Sequence, residues 1–207
     1  MNDTTLLLEM LASRICHDLI SPVGAIHNGI EFLDEMGADA LEDALDLMRH
    51  STLQSTVKLK AFRLAYGAGG RDPSVKPEDV YTAINEYVAL EGKIEQDWDA
   101  HGDITQIDFN GFPKILMGTL LLATEVLVKG GRLQVEKDGD TAKVIASGED
   151  FLLRESIMDA LGGETDVEDI DPRSVTAYLL GLNAKDLGLN VEIEPSDTQI
   201  AFIISEL

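Results

Sequence analysis

The chain has 207 residues, enough for one or two domains with a buried core, and 44% of them are hydrophobic, which argues against intrinsic disorder. With 38 acidic against 16 basic side chains the formal charge is −22, so a nonspecific grip on nucleic acid or an anionic membrane, which needs clustered Lys and Arg, is not expected. One cysteine excludes an internal disulfide and a Cys-only zinc site, and no apolar stretch approaches the ~18 residues of a membrane span. The start of the chain lacks a basic stretch followed by a long apolar core, so the expected location is cytoplasmic.

Residues 1–70 read as two long helices. Leu8, Ala12, Ile15, Leu19, Pro22, Ile26, Ile30 and Leu33 recur at alternating spacings of three and four, and so do Leu41, Leu45, Met48, Thr52, Ser55, Leu59, Phe62 and Tyr66. That period is the seam of a helical bundle. Gly37-Ala38-Asp39 supplies the turn, with Gly37 suited to end one helix and Asp39 to cap the next. Two antiparallel helices cannot enclose a seam alone, so a second copy completing a dimeric four-helix bundle is the economical solution. Packing against the rest of the chain is the alternative. The breakers Gly67-Ala68-Gly69-Gly70-Arg71-Asp72-Pro73 mark a boundary, giving a linker over 71–77 and a second domain over 78–207. The acid excess divides unevenly, with net −5 in residues 1–70 and −17 in 71–207.

In the second domain, helical spacing over 78–90 precedes a short alternating strand at 94–98 and a nearly all-apolar, hence buried, helix over 113–128. Segments 132–137 and 142–146 flank Asp138-Gly139-Asp140 as a hairpin, 151–161 and 174–187 read as helices, and 191–194 with 199–205 form a last strand pair. This mixture predicts an α+β layer sandwich. The acidic run over 164–171 reads as a solvated loop.

Chemistry concentrates in Ser13-Arg14-Ile15-Cys16-His17-Asp18-Leu19-Ile20-Ser21-Pro22. His17 sits off the seam and points to solvent beside Ser13, Arg14, Ser21 and Gly24. A neutral imidazole is a competent nucleophile near neutral pH. Asp18 is placed to orient the ring, and Arg14, one turn earlier, to pair with a phosphoryl oxygen. Pro22 lacks an N–H, so the carbonyl near Asp18 loses its helical partner and a local bend follows. Cys16 projects about 100° away from His17 and is expected partly buried and inert. His27 and His50 read as packing or surface residues, and His101 as a loop residue without partners. No HExxH, GxSxG or GxxxxGK[ST] string occurs.

An acid directly after the histidine, a hydroxyl residue at +4 and a proline at +5, early in a helical hairpin, resemble the phospho-acceptor box of sensor histidine kinases. The longer string from His17 through Ile26, with Asn28-Gly29, resembles the ChpT-type histidine phosphotransferases of alphaproteobacteria. The resemblance implies that residues 78–207 form a histidine-kinase-ATPase-like α/β domain, yet the nucleotide chemistry of that family is missing. The segment 117–125 has no Asn for magnesium and phosphate, 146–150 has one glycine where the adenine loop needs more, and no Gly-x-Gly lid is present. Leu180-Gly181-Leu182 and Leu187-Gly188-Leu189 instead read as close packing or helix ends.

The implied function is a phosphorelay intermediate that passes a phosphoryl group between the aspartates of response-regulator receiver domains through His17, without ATP. His17 is then the phospho-acceptor and Asp18 its orienting acid, with Arg14, Ser21, Pro22 and Gly24 as phosphoryl or partner contacts. No cofactor is expected, the magnesium being supplied by the receiver. The alternatives are an ATP-dependent histidine kinase, a non-catalytic dimeric adaptor binding response regulators, and a receiver phosphatase in which Ser21 positions water. Uptake of label from a phosphorylated receiver separates them.

Overall fold

The computed structural model describes residues 2–207. Helix α1 runs over Asp3–Met36, opened by Asn2, whose side-chain oxygen accepts from the Thr4 backbone N–H at 3.1 Å. It closes at Gly37, which adopts φ +63°, a left-handed value that glycine reaches without a Cβ clash. A 3-10 turn over Gly37–Ala40 then feeds directly into helix α2, Leu41–Ala65. The residue before α2 is therefore buried Ala40, filling the corner of the hairpin, and Asp39 caps nothing, contrary to the expectation from its position.

The hairpin's own interface is narrower than its seam. Pro22 and Gly29 of α1 and Ala44, Ser51 and Val57 of α2 are buried, small residues letting the helices approach. A Cβ on Gly29 would lie 2.7 Å from Met48 Cγ and 3.3 Å from the Ala44 carbonyl oxygen. Of the expected seam only Pro22 and Phe62 are buried, whereas Leu8, Ile30, Leu41 and Leu59 stay exposed, joined by Ile20 and Val23. The apolar stripe is wider than two helices can cover.

The lower end of α2 takes the other route. Ala61, Phe62, Leu64 and Ala65 enter the main core with helices α3 (Pro77–Ala89) and α4 (Phe112–Val126). Helix α4 is buried over nearly its whole length, as its composition requires, and carries two charged residues, Lys114 and Glu125. Buried Lys114 donates to the Gly67 carbonyl at 2.8 Å and so ties the end of the hairpin to the domain.

Five strands follow: β1 (Ile94–Gln96), β2 (Gly131–Asp138), β3 (Thr141–Ser147), β4 (Leu189–Pro195) and β5 (Gln199–Glu206), ordered β1-β2-β3-β5-β4. Only β1 and β2 are parallel. The register aligns Val135, Val144, Phe202 and Ile193 in one row and Leu133, Ala146 and Ile200 in the next. Both rows pack in one core with α4. The turn at 138–140 is as expected, with Gly139 at φ +59°. The α+β sandwich is thus present, completed by helices α5 (Glu155–Gly162) and α6 (Val175–Asp186). Residues 151–154, expected to be helical, precede α5 in irregular conformation.

The acidic run over 164–171 is only partly a solvated loop. It contains a 3-10 turn over Val167–Asp169, and its Ile170 is buried with Leu7 of α1 and Val175 of α6 while Val167 and Met10 pack alongside. Its carboxylates face water and its two apolar side chains hold the segment to the hairpin. Among the described residues, no helix is long and apolar enough to cross a membrane.

Candidate functional site

One turn of α1 separates Arg14 from Asp18, so the two side chains lie one above the other, and Arg14 Nε donates to Asp18 Oδ2 at 3.3 Å. The other oxygen of that carboxylate, Oδ1, lies 3.1 Å from His17 Nδ1. An ionised carboxylate only accepts, so this contact calls for the proton on Nδ1, which in a neutral ring leaves Nε2 its lone pair. The imidazole is 83% exposed while Asp18 is only 19% exposed. An anchored base below and an open nucleophilic edge above is the arrangement that the order His17-Asp18 predicts.

Pro22 orphans a helical carbonyl, as expected, and the structure shows where that carbonyl finds a donor. The N–H that would bond Asp18 O across one helical turn is the one proline lacks. Lys58 Nζ, reaching over from α2, donates to that oxygen at 3.2 Å. The site is thus tied to the second helix of the hairpin through a backbone atom. Ser21 is exposed on the turn after His17, Gly24 is half-buried and Pro22 is buried, so Ser21 lies on the accessible side of the site while Pro22 acts from beneath.

A further tie comes from the second domain. Arg14 Nη2 donates to Glu125 Oε1 of α4 at 3.1 Å. Arg14 is therefore held between two carboxylates, one from its own helix and one from the domain, through different nitrogens of its planar group. Burial works to lower its pKa, yet Glu125 and Asp18 outweigh that and the net shift is upward. Burial pushes the Glu125 carboxyl up, Arg14 opposes it and Asp18 adds to it, leaving it raised. Tyr87 of α3, half-buried beside these acids, is pushed up to about 12 by desolvation first and then by Asp18 and Glu125. These groups line a cleft of about 330 Å³ between hairpin and domain, which Lys58 and Lys93 line as well.

Lys58 and Glu125 are the two members that the reading of the sequence missed. The signal for the first was the missing proline N–H, which demands a donor without saying which. The signal for the second was a lone acid near the end of an otherwise apolar helix. Other expectations shift too. Cys16 is exposed, because the helix face it shares with Ala12 and Ile20 is left uncovered by α2. His101 has a partner after all, Glu78 Oε1 at 3.0 Å, brought near by the fold from α3. His27 and His50 are surface residues beside Glu31 and Gln54. Among the described residues no group of three or more His, Cys, Asp or Glu is arranged to hold a metal ion.

Comparison with known proteins places this geometry in context. The family described as Histidine phosphotransferase C-terminal domain matches residues 77–199. The Protein phosphotransferase ChpT of Brucella abortus (strain 2308) is 33% identical over 198 residues, which cover 93% of this chain and 92% of that protein. A solved structure described as that of a bacterial phosphotransferase superposes with a TM-score of 0.75 at 29% identity, covering 96% of this chain and 95% of the other.

Proposed function

The chain belongs to the histidine phosphotransferase family, and from that premise we propose that it relays phosphoryl groups through His17, between the aspartates of receiver domains. It is a phosphorelay phosphotransferase that works through a phosphohistidine and is not an autokinase. The observation that carries the assignment to His17 is its highly exposed ring with Nδ1 held by Asp18 at 3.1 Å. Nε2 attacks the phosphorus of a receiver's aspartyl phosphate, the N–P bond forms as the P–O bond breaks, and the electron pair stays on the departing carboxylate. The Nδ1–H bond to Asp18 stabilises the ring as its electrons are drawn toward phosphorus. The reverse sequence delivers the group to the aspartate of a second receiver.

Phosphoryl transfer of this kind is chiefly positioning and charge stabilisation, so a rigid helix presenting one imidazole suffices. Magnesium belongs to the receiver in this reading. Ser21 and Gly24, on or near the exposed side, are contact positions for the docking receiver, and Pro22 sets the local helix geometry beneath them. Arg14 has N–H groups beyond the two already engaged and lines the cleft, and it serves in this reading as a contact for a phosphoryl oxygen. The uncovered stripe along α1 and α2 supports pairing of two hairpins into a four-helix bundle. The functional unit is thus a homodimer acting in the cytoplasm, where an exposed free thiol such as Cys16 stays reduced. A receiver charged on its aspartate with labelled phosphate transfers label to the wild-type chain and not to His17→Ala. Equal uptake by that variant refutes the assignment.

A further inference from the structure

Around the Arg14 guanidinium, charged groups converge from three elements: Asp18 from its own helix α1, Lys58 from α2 and Glu125 from α4, with Tyr66 and Tyr87 beside them and Thr176 of α6 lining the same region. Three of these residues and His17 form one unbroken chain. Glu125 Oε1 accepts from Arg14 Nη2 at 3.1 Å, Arg14 Nε donates to Asp18 Oδ2 at 3.3 Å, and Asp18 Oδ1 faces His17 Nδ1 at 3.1 Å. We propose that Glu125 is a positioning residue for phosphotransfer: by fixing Arg14 it fixes Asp18, and thereby holds His17 in the tautomer whose Nε2 is free to attack. This rests on His17 being the phospho-acceptor.

Three observations support it. Glu125 is half-buried on a helix where Leu121, Leu122 and Val126 beside it are apolar and buried, so its carboxylate is favoured by a partner, and Arg14 is that partner. The guanidinium is planar and presents Nε and Nη2 in fixed geometry, so seating one carboxylate on each sets the orientation of Asp18 relative to α4. Without Glu125, Arg14 and Asp18 are only a partly exposed i,i+4 pair, an interaction too weak to hold one rotamer. The second domain, read from sequence as a scaffold, thus reaches Nδ1 of the reacting ring through three side chains.

The test uses the full chain, with histidine labelled with nitrogen-15 and phosphoramidate as the donor. In that reaction the N–P bond to His17 forms as the donor's P–N bond breaks and ammonia departs. Long-range proton–nitrogen spectra report the tautomer of His17. The wild type should show the Nδ1–H form. Glu125→Leu, which suits an apolar helix, should shift the ring toward the Nε2–H form that free imidazole favours and slow phosphate uptake about 10-fold, within what a small misplacement costs. Glu125→Gln keeps an acceptor for Arg14 and should stay within about threefold of wild type. Arg14→Lys, which cannot seat two carboxylates in one plane, should reproduce the Leu phenotype and decides the matter should Glu125→Leu fail to fold. An unchanged tautomer and rate in a folded breaking variant overturns the proposal. Uptake by His17→Ala equal to wild type overturns the underlying assignment instead, and the tautomer spectrum is independent of that outcome.

Discussion

Replacing Lys58 by Met keeps the apolar stem and removes the ammonium that satisfies the Asp18 carbonyl. That oxygen has no N–H from residue 22 to turn to, because residue 22 is proline. Leaving a buried acceptor unpaired costs about 1–3 kcal/mol, and the part-buried setting of this bond places the expected loss in the lower half, about 1–2 kcal/mol. For a chain of this length that lowers the thermal midpoint by roughly 2–8 °C. The sharper form of the prediction is a double-mutant cycle. In Pro22→Ala the restored N–H takes over the carbonyl, so adding Lys58→Met should then cost no more than about 0.5 kcal/mol. Urea unfolding at one fixed protein concentration measures all four corners, the fixed concentration removing any contribution from assembly. A Lys58→Met cost that is the same in both backgrounds, within about 0.3 kcal/mol, refutes the claim that lysine replaces the proline's missing donor.

Other outcomes follow from the same geometry. Glu125 has a raised pKa, so over the interval from its ordinary value upward the folded state binds more protons than the unfolded one and stability declines as pH rises. Glu125→Gln should flatten that decline in urea midpoints taken between about pH 4 and 7, and an unchanged difference from wild type across the window contradicts the shift. Gly181→Ala should destabilise by about 2–3 kcal/mol, because its Cβ would stand 2.1 Å from the Leu161 carbonyl oxygen, which is backbone and cannot yield. Gly24→Ala meets nothing within 4 Å and should stabilise the helix by about 0.5–1 kcal/mol while slowing transfer from a receiver, since it adds a methyl at a proposed docking contact. Ile30→Asp should leave the folded hairpin intact and convert the proposed dimer to a monomer in sedimentation equilibrium, and an unchanged mass refutes the proposed bundle seam.

The elements were legible in the sequence where periodicity is strong. The hairpin, the buried helix over Phe112–Val126 and the strand pair around Gly139 follow from spacing and turn chemistry alone, and their ends moved by only a few residues. His17 and Asp18 were legible as neighbours because adjacency in sequence is adjacency on a helix. What was not legible is long-range: Lys58 lies 40 residues from Asp18, and Glu125 lies 111 from Arg14. Spacing says nothing about such pairs, although both leave a residue out of character with its surroundings. The acidic run misled for the opposite reason. Its charges are in water as expected, but Val167 and Ile170, two apolar residues among five acids, determine where the segment rests.

Both charges of α4 are spent on the hairpin, Lys114 at the Gly67 carbonyl and Glu125 at Arg14. Eleven residues separate them, about 16 Å of helix at 1.5 Å per residue. Helix α4 is accordingly a gauge block, setting by its length how far the tip of α2 stands from the turn that carries His17. One inserted or deleted residue would rotate one anchor by about 100° away from its target while leaving the composition of the helix unchanged. Chimeras that graft this hairpin onto another α/β domain must therefore preserve an interval rather than a set of side chains, a constraint that alignments scored on identity alone would pass over.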